Sequence, residues 1–449
     1  MGDEMYEKLA SGLAGEPVVS IRRNVLKWPA EAMQVADDDG RVPWCPDGYY
    51  LKSRPNFTFD PLLHAGLYYV QDASSMFVDL VVRQLITTPV QMLDLCAAPG
   101  GKSTALRSAL PEGSLLVSNE PMRPRAHVLS ENMQKQGHTD VIVTNNFPRD
   151  FRKSGLQFDA ILADVPCSGE GMFRKDSGAI EEWSLQNVDK CWQLQREIVA
   201  DIWPCLKPGG VLIYSTCTFN NKENEQNVAW IASELGADFV EINTEKDWNI
   251  VGSLASPIPA YRFLPGFTRG EGLFLCVLRK HGEASTEPSK RKEKPQKQRK
   301  QPPLALPLTN AEEYESLADG NRIFAMKKLW HQQTAAALRS LSVVHAGVVV
   351  GEQKGKDLIP DQSLALSIAL KPDAFSRVAI DYGQAIAFLR KETLTLPPET
   401  PRGYVLLTFR GLPLGFAKNL GNRANNLYPA PWRIKSTHLP EAVDIVSLK

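Results

Sequence analysis

From residue 90 to about 280 the chain alternates short apolar runs with longer segments of helical pattern, and nothing else in the sequence limits the fold as tightly. Short apolar runs bounded by turn residues read as buried strands, and helices between them make the strands parallel. Strands are expected over 90–95, 114–119, 140–144, 158–163 and 210–215, with a last one at 273–278 forming one arm of a hairpin. Helices are expected at about 102–110, 123–136, 187–205 and 222–235. This pattern describes an α/β unit whose largely parallel sheet is covered on both faces. Such sheets bind ligands at the carboxyl ends of their strands, so the residues there decide the function.

The fourth strand runs into Asp164-Val165-Pro166-Cys167-Ser168-Gly169-Glu170-Gly171, and the fifth into Tyr214-Ser215-Thr216-Cys217-Thr218. A buried cysteine is usually a small hydrophobe. Two thiols and an acid at one sheet edge read instead as chemistry. The first strand leads into Asp94-Leu95-Cys96-Ala97-Ala98-Pro99-Gly100-Gly101-Lys102-Ser103, where a helix opens at once. Its glycines let a ligand approach the backbone, and the helix N-terminus offers N–H groups to a carboxylate or phosphate. The Gly-x4-Gly-Lys spacing of a P-loop is missing. A nucleotide-like ligand and a tight structural turn both fit this stretch. Glu120 ends the second strand, where an acid can accept both hydroxyls of a ribose; the plain alternative is a surface turn. The third strand ends at Thr144-Asn145-Asn146, which can cap or contact an adenine-like base.

With 449 residues the chain should hold about three domains. Residues 1–72 precede the α/β unit at 73–280. Within them Ser20-Ile21-Arg22-Arg23-Asn24-Val25-Leu26-Lys27 reads either as an exposed strand aiming basic residues at phosphates or as an ordinary polar face. Asp72 to Ser75 offer N-caps for a helix through about Leu85. The Lys- and Arg-rich, apolar-poor stretch 281–302 is a disordered linker, more simply a tether than a phosphate-binding arm. A region at 303–375 begins helical and turns to β character in Val343 to Val350, closed by Gly351, where His345 is a plain strand residue. Residues 376–449 form a small β-rich module.

Lys plus Arg equals Asp plus Glu at 51 each, so no global field draws the protein to nucleic acid or membrane. The seven cysteines contain no CxxC, which excludes a zinc site or disulfide framework as the simple expectation. The first residues carry no signal-like segment, and no window reaches the roughly 18 apolar residues of a spanning helix. A cytoplasmic monomer without a resident metal is expected.

Taken together, Leu95 to Lys102, Asp164 to Gly171 and Tyr214 to Thr218, in this order, resemble the Sun-type RNA cytosine-5 methyltransferases. Ser20 to Lys27 and Tyr68 to Met76 match that family's N-terminal signatures, so the likeness covers residues 1 to about 280. Gly411 to Lys418 and Asn425-Asn426-Leu427-Tyr428-Pro429 are similar to the C-terminal module of the bacterial branch that modifies small-subunit ribosomal RNA. The resemblance implies a Rossmann-like methyltransferase core, an N-terminal RNA-binding domain, and a C-terminal α+β region ending in a PUA-like RNA-binding module. It implies S-adenosylmethionine held by Cys96, Ala97, Ala98, Pro99, Gly100, Gly101, Lys102, Glu120 and Asp164. Asn146 stands where the family often has Asp, leaving an adenine contact through the amide. Cys217 is implied as the nucleophile and Cys167 as the thiol that assists product release, with Asp164 holding the cytosine edge. The partner would be RNA, probed single-stranded or with the base flipped out. Arg174 and Lys175 are candidates for its flanking phosphates, or else belong to a solvated loop. Two competing readings are a DNA cytosine-5 methyltransferase with Cys167 as nucleophile and a catalytically silent RNA-binding assembly factor.

Overall fold

The computed structural model describes residues 2–27, 33–282, 305–436 and 444–448. The expected linker at 281–302 lies outside them apart from its first two residues. After a helix at Asp3–Leu13 come β1 (Val19–Arg23), β2 (Met33–Val35), β3 (Asp38–Arg41), β4 (Gly48–Leu51) and β5 (Tyr68–Val70). All but β2 join one sheet in the order β3-β4-β1-β5. β1 lies inside that sheet, antiparallel to both β4 and β5. Arg22 and Arg23 are therefore buried, at 3% and 5% exposure, and the strand is not an exposed basic one.

The central sheet is built from β6 (Gln91–Asp94), β7 (Leu115–Asn119), β8 (Val141–Thr144), β9 (Phe158–Asp164), β10 (Leu206–Thr216), β11 (Ala237–Val240), β12 (Ala260–Phe263) and β13 (Leu273–Lys280). β10, β9, β6, β7 and β8 are neighbours in that order and run parallel. β13 pairs antiparallel with β10, and β12 is the second arm of its hairpin. Side chains alternate across the sheet as the strand period requires. Met92, Leu116, Leu162 and Ile213 enter one core with the helices Phe77–Leu85, Gly101–Ala109 and Arg123–Gln136. Leu93, Val117, Ile161 and Leu212 enter the other with the helices Leu185–Ile202 and Glu225–Leu235. Burial on both faces is what made these strands continuous apolar runs. The helix expected from residue 222 starts at Glu225, because Glu223 is engaged in the site described below.

After the linker follow β14 (Tyr314–Asp319), β15 (Arg322–Lys327), β16 (Val343–Ala346), β17 (Val348–Lys354) and β18 (Asp357–Pro360). The apolar run 343–350 is thus two strands, divided at Gly347. Its φ of +56° suits glycine, and a Cβ there would lie 2.2 Å from the Ala325 carbonyl oxygen. The break sends the strands to different sheets. β17 enters the order β14-β15-β17-β18, while β16 pairs antiparallel with β8 and becomes the outer strand of the central sheet. Phe324, Met326, Ala337 and Leu341 join the core of that sheet's second face. Within the region expected as a separate domain at 303–375, these residues share a core with the α/β unit, while Leu308, Leu364, Ala365 and Leu370 pack in another cluster with Leu406 and Phe416 of the last module.

The last module contains β19 (Ser376–Ala379), β20 (Gly403–Phe409), β21 (Leu412–Asn419) and β22 (Ala424–Asn426), paired in that order. β23 (Val446–Leu448) returns to pair antiparallel with β2. Phe388, Leu407 and Tyr428 pack in one cluster with Ile21, Tyr49, Phe57 and Leu62, so the two ends of the chain close over a common core. Among the described residues no helix is long and apolar enough to cross a membrane, and no cluster of side chains could hold a metal ion.

Candidate active site

β9 and β10 run in register with Asp164 opposite Ser215. The loops that follow deliver Cys167 and Cys217, whose Sγ atoms lie 3.2 Å apart. Asp164 Oδ1 accepts from Ser215 Oγ at 2.7 Å, and Oδ2 from Lys102 Nζ at 2.8 Å. Lys102 thus ties the loop after β6 to the two cysteine loops. The two thiols differ in acidity. A hydrogen bond from the Cys167 thiol, helped by the Lys102 ammonium, holds Cys217 below its ordinary pKa despite burial. That bond, together with burial and the negative charges of Cys217 and Glu223, pushes Cys167 up. The arrangement favours a thiolate at Cys217 beside a neutral thiol at Cys167.

Two buried carboxylates hold the loops in this relation. Glu170, in the Cys167 loop, accepts from the backbone N–H groups of Phe219 at 2.6 Å and Asn220 at 3.0 Å, just past Cys217. Glu223 reaches back the other way. It accepts from Ser168 Oγ at 2.5 Å, Ser168 N at 3.1 Å and Gln195 Nε2 at 2.6 Å. Gly171 closes the clamp: its N–H donates to the Cys217 carbonyl at 2.7 Å, and a Cβ on it would stand 2.5 Å from that oxygen. Sequence reasoning assigned roles to neither carboxylate. Glu170 was visible within the Asp164–Gly171 motif, whereas Glu223 carried no local signal.

The loop from Cys96 to Lys102 turns from β6 into the helix Gly101–Ala109. Gly100, at φ +115°, occupies the N-cap without a capping side chain, which leaves the first helical N–H groups available. Ala97 N–H bonds the Asn119 carbonyl at 2.8 Å, and Pro99 follows a cis peptide from Ala98. The Cys96 thiol is pushed up by burial. Asp94, behind the loop, accepts from Ser103 Oγ at 2.6 Å, and burial raises its carboxyl to about 7. At the tip of β7, Glu120 accepts from Met122 N at 2.9 Å and has Arg125 at 3.6 Å. An uncapped helix N-terminus after β6, an acid after β7 on one side and Asp164 at the end of β9 on the other fit a ligand that presents a carboxylate, a ribose and a positive centre.

Asn146 is engaged in part by the protein itself. Its Oδ1 accepts from Ser342 N at 2.9 Å, so the amide anchors the segment that leads into β16. Only its Nδ2 remains for a base. Arg174 departs from the expected role. Its Nε, Nη1 and Nη2 go to Glu271, the Gly12 carbonyl and the Gly270 carbonyl, and its side chain is 7% exposed. It fastens the N-terminal helix to the core instead of facing phosphates. Lys175 stays half-exposed, 3.8 Å from Glu271.

Two solved structures share this fold. A methyltransferase homolog protein from Pyrococcus horikoshii superposes with a TM-score of 0.52 and 24% identity, over 61% of this chain and 90% of that one. NSun6 from Pyrococcus horikoshii, with SFG, gives a TM-score of 0.52 and 21% identity over 63% and 96%. The core is thus a Rossmann-like methyltransferase fold. Family models described as 16S rRNA methyltransferase RsmB/F, the N-terminal domain of 16S rRNA methyltransferase RsmF, and the methyltransferase RsmF PUA domain match residues 87–279, 1–73 and 375–434. A ribosomal RNA small subunit methyltransferase F from Serratia proteamaculans is 31% identical, over 91% of this chain and 89% of that protein. One from Pectobacterium atrosepticum is 29% identical over 95% and 94%. The chain belongs to the ribosomal RNA small subunit methyltransferase F family.

Proposed function

We propose that this protein methylates C5 of a cytosine in small-subunit ribosomal RNA, with S-adenosylmethionine as donor, by covalent catalysis from Cys217. The observation that carries the reading is the pair of thiols 3.2 Å apart with opposite tendencies to ionise. The N–H groups at Gly101 and Lys102, with Glu120 and Asp164, hold the donor. When bound, it supplies an electrophilic methyl group on a sulfonium. Cytosine C5 is too weak a nucleophile to take that methyl directly. Cys217 adds to C6 and makes C5 electron-rich, which divides one hard step into two easier ones. Asp164, fixed by Ser215 and Lys102, accepts from the cytosine edge and favours protonation at N3.

Cys167 acts second. While Cys217 is a thiolate, Cys167 keeps its proton; once the Cys217 sulfur is bonded to C6, that negative charge is gone and Cys167 becomes easier to ionise. Having given its own proton to solvent, the Cys167 thiolate takes the C5 proton, directly or through water; the C5–H electron pair re-forms the C5–C6 double bond, and the C6–S bond breaks to return Cys217 as a thiolate. The base must leave its stack for this, so single-stranded or flipped RNA is the substrate form. The work belongs in the reducing cytoplasm, consistent with seven unbridged thiols.

RNA containing 5-fluorocytosine traps the adduct because fluorine cannot leave as a proton does. Cys217→Ala should abolish that adduct, while Cys167→Ala should still form it and release natural product poorly. An adduct that persists in Cys217→Ala and vanishes in Cys167→Ala would assign the attack to Cys167 and overturn the mechanism.

A further inference from the structure

Away from the thiols, a cavity of about 210 Å³ opens between the N-terminal sheet and the helices Gly101–Ala109 and Arg123–Gln136. Arg22, Tyr68, Tyr69, Asn132, Lys135 and Gln136 are among its walls, and neither Asp164 nor either catalytic cysteine is. It abuts the back of the Cys96–Lys102 loop. Asn132 Nδ2 donates to the Pro99 carbonyl at 2.8 Å, and a Cβ on Gly101 would meet the Tyr69 ring at 3.3 Å.

Arg22 is the feature that packing does not account for. Its guanidinium meets only neutral groups: Gln71 Oε1 at 2.8 Å, Thr104 Oγ1 at 2.6 Å and, weakly, Ser108 Oγ at 3.5 Å. No carboxylate among the described residues pairs with it, whereas its neighbour Arg23 has Asp47. Asp79 and Asp47 act on it only through space, each being paired with another arginine, so this buried cation has no counter-ion in contact, and an anion in the cavity would supply one. Lys27, adjacent behind Gly66, likewise meets only the Ala65 carbonyl, at 2.7 Å. A further polar atom, the buried Gln136 Oε1, lacks a hydrogen-bond partner among the described residues, and the Tyr69 side chain lines the same cavity. Tyr68, Leu63 and Val70 supply apolar surface.

The cavity therefore asks for an anion joined to a flat ring that can stack and donate a hydrogen bond. Its volume lies below the roughly 300–1,000 Å³ of pockets that bury a drug-sized ligand, so a ligand of that size is enclosed only in part. A single nucleotide meets each requirement, and aromatic stacking of unstacked bases is how proteins hold single-stranded RNA. We propose that this cavity receives one nucleotide of the RNA strand, its phosphate at Arg22 and its base against Tyr69. The proposal rests on the RNA reading above and adds a second point of grip, formed by other residues than those that hold the cytosine.

The full chain, irradiated with a short single-stranded RNA carrying 4-thiouridine, should cross-link through the peptide that contains Tyr69. Arg22→Gln should weaken RNA binding about tenfold. It should also lower the slope of log K against log salt by about 0.7, the value for one phosphate contact on a single strand. A purely structural role for Arg22 would leave that slope alone. Should Arg22→Gln fail to fold, Tyr69→Phe, which removes only the hydroxyl, should weaken binding severalfold with the slope unchanged. Absence of the cross-link together with unchanged RNA affinity in Tyr69→Phe overturns the inference, as does cross-linking of free 4-thiouridine monophosphate but not RNA. Adduct formation at Cys217 is read separately, so this site can fail while the methylation chemistry stands.

Discussion

At Glu223 one carboxylate sets both the position and the acidity of a thiol. It holds Ser168 by two hydrogen bonds, and its charge is among the causes that keep Cys167 protonated. Glu223→Gln keeps the size and removes the charge. The Cys167 thiol should then ionise at lower pH, measured as the pH profile of its alkylation by iodoacetamide in a Cys217→Ala background. Turnover should fall about tenfold to a hundredfold as the Cys167 loop loses its hold. An unshifted alkylation profile would remove Glu223 from any electrostatic role. Cys167, Cys217, Asp164 and Lys102 were legible in the sequence because each sits where a strand ends in a motif. Glu223 was not, since its importance comes from a loop 55 residues away that only the pairing of β9 and β10 brings near. Arg174 misled for a related reason: a basic residue after a loop says nothing of which way it points.

The parallel strands of the α/β unit and the helices between them were legible to within a few residues, because strands buried on both faces and helices with one apolar side leave distinct periods, whereas the half-buried edge strand β11 was not expected. The run Val343–Val350 had no such guide. Seven apolar or small residues and one histidine look the same whether they serve one sheet or two, and the division at Gly347 depends on the Ala325 carbonyl that it approaches. Gly347→Ala should test this. With φ at +56° and no room for a Cβ, the variant should lose about 2 kcal/mol or more in urea unfolding, while the residual folded protein keeps its adduct chemistry. Gly171→Ala should do the opposite. Its Cβ would press on the Cys217 carbonyl and part the two loops, so adduct formation should slow about a hundredfold. Equal effects of the two substitutions on adduct rate would mean that the clamp at Gly171 does not set the thiol geometry.

Across the whole molecule, the linear succession of domains gave way to a closed arrangement in which β16 completes the central sheet and β23 returns to β2. Contacts between residues hundreds of positions apart leave no local pattern, so these joints could not be read in advance. Three buried histidines sit at the joints. His64 faces Tyr428 OH at 3.3 Å, His345 lies in β16, and His138 shares with His345 the small cleft between the helix Arg123–Gln136 and the C-terminal region. Burial depresses all three, His64 and His345 to about 3 and His138 well below its ordinary value. An unfolded histidine titrates near 6.5. The stability each contributes is thus fully present above about 6.5 and is lost as pH falls from there toward its folded value, at about 1.4 kcal/mol per pH unit. Asp94 and Asp60 act with the opposite sign, because burial raises them to about 7 and about 6, and acid favours their folded form. The observed slope of unfolding free energy against pH is therefore a difference, and the histidine part has to be isolated by substitution. His64→Gln and His345→Gln should each flatten the decline between pH 6 and pH 4 by about 1.4 kcal/mol per pH unit, measured by urea unfolding. A decline that keeps its wild-type slope in both variants would mean that these joints do not open on protonation.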